Sequence, residues 1–483
     1  MSSGTLYWHD YETFGTDPFW DRPAQFAGIR TTEDLETVGD PLTLYCKPAN
    51  DMLPHPEACL ITGITPQLAL QKGIAEAEFI SKIHDQLAVP NTCGVGYNSI
   101  RFDDEITRNC LYRNFFDPYA REWQGGNSRW DILDTLRLAH ALRPEGIEWP
   151  RNEAGLPSFR LEDIARANGI EHAGAHDALA DVRATIGVAR LVRDRLPKLY
   201  SYVFGLRIKR KLRPLLVFGD AQPLLHVSGR YPASEGCIAV IQPLARDPGN
   251  SNSIIVYNLS KDPQSLFELD VEVVRKRLFR PGPEGSADQE RIALKTVHIN
   301  KCPVLVPLKT MREQDAERLG IDLELCFRNL AAIRQQEGLV EKVVRVFSDH
   351  PRPETTDPDL MIYSGGFFGE LDKASMTWIR NANPADLAGV SRQFEDSRLS
   401  EMLFRYRARN FPASLSNTER ERWETFRRQR IRQGGDGRGL SLTRYRSLIE
   451  DLRGGSDCSP ERGVILDQLE AWSDRLMIGS STL

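Results

Sequence analysis

The chain has 483 residues, of which 41% are hydrophobic and 27% charged, and its net charge is −5. That length exceeds one compact core and predicts two or three domains, while the apolar content excludes disorder as the main state. No apolar run reaches the ~18 residues a membrane span needs, and eight cysteines without a C-x-x-C pair exclude a zinc ribbon or a disulfide framework. Thr5 to Glu12 is rich in aromatic and β-branched residues and predicts a strand, ended by the turn residues Gly15-Thr16-Asp17-Pro18. Ala24–Thr32 and Pro41–Cys46 predict two more strands in an antiparallel meander. Apolar residues at Ile74, Ala77, Ile80, Ile83 and Leu87 have helical spacing, Thr92–Tyr97 predicts a buried strand, and Phe102–Tyr112 a second helix. Strands first, then alternating helix and strand, imply an α/β fold with a mixed sheet. Leu161–Val192 predicts a helix, a loop at Asn168-Gly169, and a longer helix after Gly174.

From about residue 200 the texture changes. Leu216–Leu259 holds short apolar runs broken by glycines and prolines, as in a β-barrel, and Asp315–Phe347 reads as helical. Ser348–Pro358 is polar with three prolines and predicts a linker. The remainder is helical in pattern and rich in arginine, with Gln433–Gly439 (QGGDGRG) expected to be a mobile loop. The boundaries predicted are 1–198, 199–347 and 359–483. Met1–Asp10 has no basic stretch followed by an apolar one, so no secretory signal is expected, and a reducing cytoplasm is.

Charge is unevenly distributed. Arg190–Arg213 carries nine basic residues against Asp194 alone, and Glu401–Arg446 carries twelve arginines against five acids. Such blocks are either solvated helix faces or footprints for a polyanion.

Four acids and a histidine stand out. Asp10 and Glu12 form D-x-E on the first predicted strand, so period two points both carboxylates to one side. Two acids on one face repel unless a cation shares them, and carboxylates suit a hard divalent ion. Asp103 and Asp104 follow the C-terminal end of a central strand, where ligands gather in open α/β sheets. His176 and Asp181 form H-x₄-D at the start of the last helix of this region, which can aim both at one spot. Each pair alone is also what an ordinary exposed strand or helix start would carry. Together and in this order they are far more specific.

With these residues the chain resembles the DEDDh branch of the DEDD superfamily of 3′→5′ exonucleases. D-Y-E-T-F-G at 10–15, D-R-P-A-Q-F-A at 21–27, N-S-I-R-F-D-D-E at 98–105, L-R-P-E-G-I at 142–147, G-L-P-S-F-R-L-E at 155–162 and R-Y-R-A-R-N-F-P at 405–412 narrow the resemblance to the bacterial exodeoxyribonuclease I family. It runs from about residue 5 to about 430; nothing is carried over to 280–290 or the last fifty residues. The resemblance implies an RNase H-like exonuclease domain, then an SH3-like β-barrel and a helical C-terminal domain closing a groove. It implies two Mg²⁺ ions, replaceable by Mn²⁺, held by Asp10, Glu12, Asp103 and Asp181, with His176 as general base. Release of 5′-mononucleotides from single-stranded DNA, processivity and a place in DNA repair follow from it as well. An exoribonuclease of the same fold and a catalytically silent DNA-binding scaffold are the competing expectations.

Residues 108–130 interleave cations and rings, a composition that suits single-stranded nucleic acid. The expected DNA contacts are Glu12, Thr13, Phe14, Arg108, Tyr119, Trp123, Arg137, Ser158 and Arg160, the last as a phosphate clamp. The resemblance also implies docking of the acidic C-terminal tail of single-stranded DNA-binding protein, with Arg143, Tyr202 and Arg312 as candidates. A monomer with no membrane association is expected.

Overall fold

A computed structural model describes residues 4–172, 174, 177–219, 221–279, 292–348, 355–388, 394–435, 437–456 and 458–478. Residues 349–354 of the expected linker, and His176, lie outside the described residues. The chain divides into two compact units, one formed by 1–128, 172–183 and 353–483, the other by 129–171 and 184–352.

In the first unit, β1 (Thr5–Thr13) pairs antiparallel with β2 (Pro23–Thr32), which pairs antiparallel with β3 (Leu42–Tyr45). The helices α1 (Pro56–Thr62), α2 (Pro66–Lys72) and α3 (Glu76–Leu87) follow. β4 (Thr92–Gly96) then lies parallel to β1, giving the mixed sheet that the order of elements predicts. α4 (Asp103–Arg113) starts seven residues after β4 ends. Alternation along β1 puts Tyr7 and Tyr11 on one face, where they and Phe26 pack on Phe79, Ile80 and Ile83 of α3 and Ile106, Cys110 and Leu111 of α4. The opposite face therefore receives Asp10 and Glu12.

α4 is buried along its whole length. Five charged residues lie in it, and the ion pairs of four of them are explicit. Asp104 pairs with Arg121 at 2.6 Å, and Arg108 bridges Glu105 at 2.7 Å and Glu122 at 2.6 Å. Arg113 reaches Glu76 at 3.2 Å. Asp103, the fifth, accepts a hydrogen bond from the Tyr11 backbone N–H at 3.0 Å.

The C-terminal helices of this unit are Glu370–Asn381, Arg398–Asn410, Asn417–Gln433, Leu442–Gly454 and Pro460–Ile478. Trp472, Leu469, Leu466 and Tyr445 share a core with Phe14, Leu53 and Ile64. The arginine-rich segment is not uniformly a solvated face: Arg405, Arg407, Arg427 and Arg430 are buried. Arg409 holds Asp51 and Asp359, each at 2.7 Å. Arg405 and Arg430 each reach Asp357 at 2.5 Å. These guanidinium groups hold the carboxyls of Asp51 and Asp359 well below the usual range despite burial.

The second unit carries a five-stranded antiparallel sheet in the order Leu305–Pro307, Leu224–Val227, Ile238–Arg246, Ser253–Asn258, Leu294–His298. Its core holds Leu224, Ile241, Val256, Val297 and Leu305 with Leu206 and Leu212. Among the described residues, no helix is long and apolar enough to cross a membrane.

Removing Arg409 strands two buried carboxylates. Arg409→Ala is expected to lower unfolding free energy by ~3–5 kcal/mol, read as a shift in the urea midpoint. A loss below ~1 kcal/mol, the range of a surface pair, contradicts this account of the network.

Candidate active site

Asp10, Glu12 and Asp181 each offer a carboxylate oxygen, and the three oxygens lie within 4.8 Å of one another. β1 supplies the first two through its pleat. Its pairing places Asp10 opposite Ala27 and Glu12 opposite Gln25, with a register shift just after Glu12. Asp181 stands in the first turn of the helix Ala178–Arg195. Asp177 accepts hydrogen bonds from the Leu179 and Ala180 N–H groups at 3.2 and 3.1 Å, closing the start of that helix. Gln25 fastens it to the sheet: its side-chain oxygen accepts from Ala178 N–H at 3.3 Å and its amide donates to Asp177 at 3.4 Å. The Q of D-R-P-A-Q-F-A thus docks the helix that carries Asp181.

The charges that raise Asp10 and Glu12 are those of other acids. Burial, then Asp103, Glu12, Asp181 and Asp177, hold the Asp10 carboxyl well above its ordinary range. Burial, with Asp181 and Asp177, pushes Glu12 up to about 8. Asp103 thereby joins the group electrostatically. The donor set is all carboxylate oxygen, which fits a hard divalent cation and not a soft one. Such an ion removes the repulsion that the acids impose on one another.

His172 was not among the sequence candidates. Its Nε2 meets Asp181 Oδ1, and its side chain is 8% exposed. The signal available was a second histidine four residues before His176. His9, one residue before Asp10, is buried on the opposite face of β1, and burial lowers its pKa to about 4.

The other candidates fall into different surroundings. Trp123 is 64% exposed. Tyr119 lies under the Arg108 guanidinium at 5.6 Å, while Arg108 is buried among acids and accepts no solvent-facing role in this arrangement. Tyr112, Arg113, Arg121 and Trp130 of the same cation-and-ring stretch are also buried. Thr13 donates through Oγ1 to the Gly15 carbonyl at 2.6 Å. Phe14 is buried, and its N–H and C=O bond Arg22 O and His55 N–H.

In the second unit, Arg137 pairs with Asp134 at 2.7 Å, and Ser158 Oγ donates to Asp163 at 2.6 Å. The Arg160 side chain is 78% exposed. Arg143 and Tyr202 line a groove of about 460 Å³, with Leu138, Leu142, Leu196 and Val306 among its apolar residues and Arg195 and Lys198 adding charge. Arg312 lies beside it, held by Asp315 at 2.7 Å and Glu145 at 2.9 Å.

Comparison with known proteins adds to this geometry. Residues 7–189 match the exonuclease family, 207–349 the exonuclease I SH3-like domain, and 356–476 the exonuclease I C-terminal domain. Exodeoxyribonuclease I of Escherichia coli is 49% identical over 426 residues, 88% of this chain and 89% of that protein. A moderately thermophilic exonuclease I from Methylocaldum szegediense is 55% identical, with TM-score 0.93 over 98% of this chain and all (100%) of that one. The zinc-bound complex of E. coli exonuclease I with single-stranded DNA aligns with TM-score 0.93 and 45% identity, covering 98% and 100% of the two chains. A structure of SSB with exonuclease I and an inhibitor aligns at TM-score 0.89 and 45% identity, over 98% and 100%.

The raised carboxyl of Glu12 has a measurable sign. Burial and the neighbouring acids push Glu12 from its ordinary value of 4.5, which holds in the unfolded chain, up to about 8 in the fold. Between these values the folded state holds a proton that the unfolded state has released, so its stability contribution falls as pH rises through that window. A divalent cation takes the place of the proton. Mn²⁺ or Mg²⁺ should therefore raise the thermal midpoint more above pH ~8 than near pH ~5. An equal shift at both ends would remove the cation from this site.

Proposed function

The chain belongs to the exonuclease I family, and from that membership we propose that it is a 3′→5′ exonuclease that hydrolyses single-stranded DNA to 5′-mononucleotides. The observation that carries the reading is the convergence of Asp10, Glu12 and Asp181 within 4.8 Å, with Asp103 acting on Asp10. These four acids would hold two Mg²⁺ ions, Asp10 shared between them, Glu12 and Asp181 on the side of the attacking water, and Asp103 on the side of the leaving oxygen. Bound there, two divalent ions supply charge stabilisation to both oxygens of an in-line displacement.

The side chains do the remainder. His176 accepts the proton from the attacking water, and a near-neutral imidazole matches that task. Trp123 and Tyr119 offer rings on which bases stack. Arg160 presents a guanidinium that can engage two phosphate oxygens. Thr13 stands next to Glu12, where the terminal nucleotide must be held. Arg137 and Ser158, both engaged with neighbouring acids, contact the strand through what those bonds leave open. The enzyme acts processively as a monomer in the cytoplasm, in DNA repair. Its three segments, 1–198, 199–347 and 359–483, divide catalysis from strand retention.

The groove lined by Arg143 and Tyr202 joins apolar walls to cationic residues. That pairing suits an acidic peptide with some apolar character, and the acidic tail of single-stranded DNA-binding protein is the occupant we assign to it. Arg312 adds charge at its side.

Three measurements test the reading. With Mg²⁺, 3′-labelled single-stranded DNA should be consumed and RNA of equal sequence spared; the reverse makes the protein an exoribonuclease. Asp181→Ala should abolish cleavage with DNA binding kept, and His176→Ala should slow turnover by ~10²–10⁴-fold. Full turnover in either variant removes that residue from the mechanism. Arg143→Ala should weaken anisotropy-detected binding of an acidic tail peptide by ~10-fold or more; unchanged affinity moves the partner elsewhere.

A further inference from the structure

The last fifty residues and the segment QGGDGRG are left unexplained by the catalytic reading, yet they touch the loop that follows the acid strand. That loop, Gly15–Arg22, connects β1 to β2. Its base is fixed by Phe14 N–H donating to Arg22 O at 2.9 Å. Its own turn is closed by Asp21, whose carboxylate accepts from Asp17 N–H at 2.8 Å. At its far end Trp20 is 4% exposed and packs with Met52 and Leu360.

The cover over Trp20 comes from the C-terminal region. The helix Asn417–Gln433 ends at Gly434, which is left-handed at φ 75° and whose carbonyl accepts from Gly439 N–H at 2.9 Å. This tight turn brings Gly435 and Gly439 onto the indole. A Cβ on either would overlap the Trp20 ring atoms, so only glycine permits the approach. Arg430, in the preceding helical turn, lies over the same indole at 4.3 Å. Arg438 pairs with Asp17 at 2.9 Å and lies over the Phe19 ring at 5.5 Å. Phe14 itself packs with Ile431, Tyr445 and Trp472. The described residues of the expected mobile loop thus form a packed contact.

We infer that Gly435, Arg438 and Gly439 act as positioning residues for catalysis, fixing the Gly15–Arg22 loop and through it Thr13 and the register shift beside Glu12. The inference rests on the exonuclease reading, because it assigns Thr13 and Glu12 to the end of the strand. The physical reason is geometric. Glu12 and Thr13 keep Gln25 and Pro23 as their partners, but the β1–β2 register shifts between them, so regular pairing does not carry across that point and the Gly15–Arg22 loop sets how Thr13 stands against Glu12. A displacement of ~1 Å at a reacting centre is enough to cost ~10²-fold in rate.

The test uses the full chain with Arg438→Ala, Arg438→Lys and Gly439→Ala. Arg438 and Asp17 are both more than a quarter exposed, so losing their pair changes stability little. Steady-state kinetics on a short 3′-labelled oligodeoxynucleotide are measured below each variant's unfolding transition. Arg438→Ala should keep the wild-type thermal midpoint and lose ~10-fold in kcat/KM, with Arg438→Lys restoring most of it. Gly439→Ala, which forces the indole aside, should lose ~10²-fold. A merely structural role moves the midpoint and leaves kcat/KM of the folded protein intact; that outcome in both alanine variants overturns the inference. If the wild-type protein leaves the oligodeoxynucleotide intact, the exonuclease reading fails and takes this one with it.

Discussion

The mutual repulsion of Asp10, Glu12 and Asp181 is the constraint around which the first unit is built. Asp10 and Glu12, this close to Asp181 and with Asp103 adding to the field on Asp10, resist ionisation at neutral pH. The fold nevertheless spends hydrogen bonds on bringing them together. Gln25 ties the Asp181 helix to β2, and the Tyr11 N–H ties Asp103 to β1. Structure that holds like charges in place is coherent only when a cation belongs among them.

The surroundings sharpen the contrast. Within the same unit, buried acids are matched to arginines: Asp104 to Arg121, Glu105 and Glu122 to Arg108, Asp51 and Asp359 to Arg409. Among the described residues arginine is abundant in this unit, yet the charges that raise Asp10 and Glu12 are carboxylates. A guanidinium there would compete with a divalent ion for the same oxygens.

Period two on β1 made the Asp10 and Glu12 pair legible from sequence, because the pattern is local and the pleat translates it directly into direction; Asp181 joins them from the first turn of its helix. The mixed sheet was legible for the same reason, from strand and helix periodicity. Composition misled where burial decides the outcome. Arg108, Arg121 and Trp130 look like a nucleic-acid surface when read along the chain, yet they lie inside: the two arginines answer the acids of the enclosed α4, and Trp130 packs on Tyr200 and Phe204. Arg405 and Arg430 likewise read as solvated and are buried against Asp357. His172 escaped notice since a lone histidine carries no periodic signal. The packing of Gly439 on Trp20 joins residues some four hundred positions apart, which no local pattern encodes.

That separation bears on how the protein is made. Phe14, Leu53 and Ile64 share a core with Leu469, Trp472 and Leu476, and the intervening chain includes all of the second unit. At ~5–20 residues per second, a ribosome needs tens of seconds to travel between the two halves of that core. During this interval the nascent chain shows apolar side chains whose partners have not yet been synthesised. The core that holds Phe14 can close only after the helix Pro460–Ile478 has been made, so its earlier half waits exposed for that long.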